Sequence, residues 1–184
     1  MRTKKALSLA AALTLVTATS AAAAPASAAP APAPAPERAL SGGGWEPTST
    51  PPFVLPAGQI CPFELKGDIV ADREWMRTVA TFPDGKPQVQ DFAGVLVIRF
   101  TNTSNKRSVV RDATGTIRVY HLPDGTRIQQ LHGHNALPVR AANTGFPGGD
   151  YITSGDFVVI DRPGGVREVP VRLGKMENLC KTLA

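Results

Sequence analysis

The sequence holds no complete catalytic motif. It has no G-x-S-x-G elbow, no C-x-x-C pair and no glycine-rich loop that opens a helix. Elbow hydrolysis, a C-x-x-C metal pair and phosphate cradling are therefore disfavoured. Aromatic residues are scarce, at 6%, and charged residues make up only 19%, while 17 Gly and 17 Pro punctuate the chain. That balance speaks against a helical bundle or a coiled coil. Runs of Lys or Arg are missing beyond the N-terminus: Lys106-Arg107 is an isolated pair with Arg111 nearby. The formal net charge of +5 includes Arg2, Lys4 and Lys5, which lie in a segment expected to be removed. The remainder is nearly balanced, and no nucleic-acid partner is expected.

What is present begins with a leader. Met1-Arg-Thr-Lys-Lys5 is followed by an apolar run from Ala6 to about Thr19 and by small residues of A-x-A character. This reads as a secretory signal peptide over residues 1–24. The run is shorter than the roughly 20 residues a membrane helix needs, so no permanent membrane anchor is expected. Cys61 is the first cysteine, well past any cleavage point, and leaves no lipid-modifiable thiol there. Residues 25–52 read as a disordered Ala/Pro/Gly-rich linker, with Trp45 an exposed or loosely docked aromatic in its tail. At 184 residues the chain has room for one domain, which sustained apolar density places at 53–184. The expected product is secreted and extracellular.

Export brings an oxidising setting, and Cys61 and Cys180 are the only two cysteines. A structural disulfide is expected between them. It would close a loop of about 120 residues and add on the order of 4 to 5 kcal/mol in the loop-entropy account.

The domain itself reads as all-β. Val95–Phe100, Thr116–Tyr120 and Asp156–Ile160 are β-branched or alternating, and turn signals such as Pro83-Asp-Gly85, Pro123-Asp-Gly125 and Pro163-Gly-Gly165 separate such runs. About eight antiparallel strands are expected, as a barrel or a sandwich, with a slight preference for a barrel because the disulfide ties first segment to last. Only Lys175–Cys180 is compatible with a terminal helical turn. A small-molecule cavity requires that the core be incompletely packed.

The spaced landmarks Pro56-Ala-Gly-Gln-Ile-Cys-Pro-Phe63, Phe100-Thr-Asn102, Asp124-Gly-Thr126, Gly133-His-Asn135 and Thr153-Ser-Gly-Asp-Phe157, with a cysteine four residues from the C-terminus, resemble a family of small uncharacterised secreted proteins of high-GC Gram-positive bacteria. The resemblance covers about residues 53 to 183. It implies an exported β-rich domain with one disulfide from its N- to its C-terminal part, and it brings no activity to any residue. The chain departs from the pattern at Leu137-Pro-Val-Arg140, where a longer apolar run is usual, so the pairing of that strand is open.

The sharpest chemical feature is Leu131-His-Gly-His-Asn135. In a regular strand His132 and His134 would share a face about 6 to 7 Å apart, within reach of one metal ion. A site needs a third ligand. With a two-residue hairpin at Asp124-Gly125, His121 would pair with Ile128 and His132 with Ile117, which leaves His121 about 13 Å from His132. Asp150 or Asp156 remains as a completing carboxylate. A cupin would carry Glu where Pro138 or Val139 stands, and copper-zinc dismutases need more than three histidines. The plainer reading of Gly133-His-Asn135 is a strand end with Asn135 left-handed, and of Ser154 a turn serine. Asp72, Glu74, Asp91 and Asp112 alternate with basic residues as on a solvated strand face.

These observations point to a non-catalytic, monomeric extracellular binding or interaction module without a cofactor. Its partner would be a small apolar molecule or a cell-surface or protein partner. The alternative is a small extracellular enzyme, metal-dependent through His132 and His134 or acid/base through carboxylates. A structural cell-envelope component would differ from the first reading only in its partner.

Overall fold

Three hairpins share one design. In each a proline opens the loop and a glycine in the left-handed region closes it: Gly85 (φ 83°), Gly125 (φ 84°) and Gly165 (φ 85°). Backbone bonds run from Phe82 N to Lys86 O, Leu122 N to Thr126 O and Arg162 N to Val166 O, at 2.8–2.9 Å. Three-residue loops of this kind place a one-residue bulge beside the turn. Asp84 and Asp124 tighten the first two loops by accepting from the amides of Lys86 and Thr126.

The computed structural model describes residues 44–184; the leader and the linker up to residue 43 lie outside the described residues. Nine strands form one antiparallel sheet: β1 (Glu46–Thr48), β2 (Phe53–Leu55), β3 (Leu65–Thr81), β4 (Pro87–Asn102), β5 (Ser108–Asp112), β6 (Gly115–His121), β7 (Arg127–Val139), β8 (Gly149–Asp161) and β9 (Arg167–Asn178). A short helix, α1 (Leu179–Thr182), follows, with Asn178 as its N-cap. The order is β1-β3-β4-β6-β7-β8-β9, with β2 on β3 and β5 on β4.

The all-β antiparallel expectation holds, and the three strands read from the sequence lie inside β4, β6 and β8. The closure favoured from the disulfide is not formed. No ladder joins β9 to β1, β2 or β3, so the sheet is open and is neither a closed barrel nor two separate sheets. Cys61 and Cys180 do bridge, with Cα atoms 5.2 Å apart, and the disulfide, not a ladder, holds the two ends of the domain together. β1 falls inside the stretch read as linker, and Lys175–Asn178 extends β9 where a helical turn was envisaged. Leu137–Val139 pairs with Tyr151–Gly149 of β8. Pro138 lies beyond the segment of β7 that pairs β6, so its missing N–H breaks no ladder there.

A row of glycines crosses the sheet. Gly94 of β4 pairs Gly115 of β6, Gly115 pairs Gly133 of β7, Gly133 pairs Gly155 of β8, and Gly155 pairs Gly174 of β9. At Gly155 (φ 128°) a Cβ would collide with the Leu173 carbonyl, and at Gly94 (φ 143°) with that of Arg73. Side chains are excluded because neighbouring backbones pass too close. Such a line of glycines is how a sheet bends sharply. The bend is visible in the packing: Ile98 and Phe100 of β4 share one core with Ile152 of β8 and Leu179 and Leu183 of the C-terminus, although β4 and β8 are not neighbours in the sheet. A second core joins Leu131, Val139, Phe157 and Val169.

Candidate ligand cavity

Where the sheet bends, small residues leave space. A cavity of about 330 Å³ is floored by Gly94, Gly115, Ala93, Ala113 and Ala136 and walled by Phe92, Leu96, Ile98 and Phe100 of β4 and Ile117 of β6. Phe53 and Leu55 of β2 and Pro138 of β7 complete the apolar lining. The size is at the small end of the roughly 300–1,000 Å³ typical of ligand pockets. The condition set by the sequence, an incompletely packed core, is thus met.

Four polar residues enter this lining: Thr50, Glu74, Asn135 and Asp150. Thr50 lies between β1 and β2 and ties that segment to β3. Its amide donates to Asp72 Oδ2 at 2.9 Å and its hydroxyl to Glu74 Oε2 at 2.6 Å. Burial raises the Glu74 carboxyl above its ordinary range, the Thr50 bond opposes this, and the neighbouring Asp72 adds to it. Asn135 is spent on structure, donating to the His132 carbonyl at 3.2 Å.

Asp150 is different. The residue is 2% exposed, and burial alone pushes its carboxyl up to about 7. No charged group or hydrogen bond contributes to that shift. The backbone holds the residue firmly: its amide donates to Cys180 Sγ at 3.4 Å, and it pairs with Pro138 across β7 and β8. Its carboxyl makes no hydrogen bond to the described residues yet is not a sealed, unsatisfied group, so it opens onto the cavity and is a functional-site candidate. The sequence marked Asp150 only as a possible third metal ligand, and nothing in its local pattern signals burial.

His132 and His134 each face a carboxylate of their own. β7 continues through them, and Gly133, not Asn135, takes the left-handed backbone (φ 78°). His132 Nδ1 lies 2.7 Å from Asp156 Oδ1, whereas His134 Nδ1 lies 3.3 Å from Asp112 Oδ2. Each ring has its own exposed carboxylate, and among the described residues no three His, Cys, Asp or Glu side chains converge on a metal position. The two-residue hairpin expectation is off by one, because the Pro123-Asp-Gly125 loop has three residues: His121 pairs Arg127 and His132 pairs Thr116. His121 bonds Gln90 at 3.0 Å, and burial lowers its pKa. Ser154 is a strand residue opposite His134 and Lys175.

The carboxylates read as a solvated face divide in role. Asp91 is buried and clamped by Arg118 and Arg77, whose guanidinium groups, Arg118 first, hold it below the usual range. Trp45 stands just before β1, exposed, with the Arg77 guanidinium 4.7 Å over its ring, a loosely docked aromatic. A second cavity, about 590 Å³, is lined by Arg127, Arg140, Arg162 and Arg167 at the hairpin ends. Three of those cations are already taken up by Asp161 and Glu168.

The fold and site define an open, bent antiparallel sheet with a largely apolar cleft into which two acids, Glu74 and Asp150, enter. Neither a family model, nor a curated protein, nor a solved structure matches the chain. Among the described residues no helix is long and apolar enough to cross a membrane.

Proposed function

We propose that this chain is an exported, non-catalytic β domain that takes up a small, largely apolar molecule outside the cell. The observation that carries the reading is the cleft: aromatic and aliphatic walls, a glycine and alanine floor, and few polar groups, as small-molecule sites require. The basic and apolar leader, the Ala/Pro spacer and the Cys61–Cys180 bridge support the extracellular setting. So does the resemblance to secreted proteins of high-GC Gram-positive bacteria. The pairing of His132 with Asp156 and of His134 with Asp112 weighs against the metal-enzyme alternative, whose acid/base form would instead rest on Asp150.

The test is titration with N-phenyl-1-naphthylamine, a neutral apolar fluorophore. Binding with micromolar affinity is expected for the wild-type protein. Ala136→Leu, which puts three more carbons into the cleft, should weaken binding about tenfold or more by filling the volume the probe needs. Equal binding by both proteins would place the probe elsewhere, and no binding by either would remove the reading.

A further inference from the structure

We propose that the ligand of this cleft is a cation: a small lipophilic amine whose ammonium group meets the Asp150 carboxylate while its apolar body lies against the β4 wall. This rests on the cleft-binding reading and specifies its chemistry. Among the described residues the lining includes two acids, Glu74 and Asp150, and no Lys, Arg or His, so a cationic occupant would meet complementary groups and no like charge. The two acids are not one shared-proton pair, since neither is a cause of the other's shift: Glu74, on β3, sits opposite Gly94, whereas Asp150 stands on β8, five positions from Gly155.

Glu74 already accepts a hydrogen bond from Thr50, but among the described residues none donates to the Asp150 carboxyl oxygens, which line the cavity. A buried carboxylate is tolerated when paired and hydrogen-bonded, and an ammonium supplies both charge and three donors at one point. A carbonyl ligand would satisfy only the protonated acid. An alcohol would supply a single neutral donor. The ammonium contact is charge-assisted and correspondingly the stronger. The hydrophobic walls then select among amines for those with a compact apolar body.

The experiment compares three probes of one shape on the intact, oxidised protein by calorimetric titration at neutral pH: 1-naphthylmethylamine, 1-naphthalenemethanol and 1-naphthaldehyde. The amine is expected to bind at least about tenfold more tightly than either neutral probe, as a charge-assisted bond outweighs a neutral one. Asp150→Asn should remove that advantage and leave the alcohol's affinity within about threefold, with the alcohol also certifying that the variant folds. Equal affinity of amine and alcohol for the wild-type protein would overturn the amine assignment while leaving cleft binding in place. Preference for the aldehyde would overturn it in favour of Asp150 acting as a protonated donor. If no probe binds, both the assignment and the cleft-binding reading fall.

Discussion

Replacing Asp150 by Asn keeps the shape of the side chain and removes its charge, and the consequence depends on pH. Burial pushes the carboxyl up to about 7, from a value near 3.8 for a free aspartate. A shift of about three units at 1.36 kcal/mol each corresponds to about 4 kcal/mol. The folded pKa is the higher one, so the folded protein holds a proton that the unfolded chain has released. The protonated acid therefore costs nothing below about pH 4, and stability is lost progressively as pH rises toward 7, with little further change above. Asparagine has no such loss. The stability of Asp150→Asn relative to wild type is expected to increase by up to about 4 kcal/mol between about pH 4 and pH 8. Urea denaturation of both proteins at the two pH values, with the disulfide intact, measures it. The difference between proteins is the observable because other carboxylates act in the opposite sense. Asp91 beside Arg118 and Arg77, and Glu177 beside Arg111, have lowered pKa values and lose their contribution as pH falls. A difference that stays constant across pH would show that Asp150 is solvated or paired, and would refute the reasoning.

Gly155→Ala should destabilise the domain by about 2–4 kcal/mol, combining strain at φ 128° with the collision against the Leu173 carbonyl. Gly164→Ala, at φ 87° with nothing within 4 Å, isolates the backbone part; an equal loss in the two variants, measured by urea denaturation, would show that close approach is unimportant. Reducing Cys61–Cys180, which spans 119 positions, should lower stability by about 4–5 kcal/mol while any surviving fold keeps its β circular dichroism. An unchanged unfolding midpoint after reduction would contradict that.

Much of the fold was legible because it is written locally. Alternating β-branched runs and Pro-x-Gly punctuation mark the strands and three hairpins, and an even cysteine pair marks the bridge. The bend was not legible. Gly133, Gly155 and Gly174 look in sequence like interruptions of strands, and only the register between strands aligns them with Gly94 and Gly115 into one row. A one-residue difference in a hairpin loop moved His132 from Ile117 to Thr116, which is why pairings argued from an assumed turn did not survive. The short β1 lacks a pattern of its own and is held by pairing with β3 and by Thr50 bonding Asp72 and Glu74. Asp150 follows two glycines and resembles a loop aspartate. Its burial comes from the curl that brings β8 beside the C-terminal helix and β4, a long-range fact.

The central claim is that the bent sheet encloses a working ligand site. Native intact-mass spectra of the oxidised wild-type protein and of Ala136→Leu, each mixed with 1-naphthylmethylamine and recorded before and after denaturation, test it most directly. A single adduct on the wild-type protein, lost on denaturation and absent from Ala136→Leu, is the predicted result. No adduct on the wild-type protein, or the same adduct on both, would contradict it.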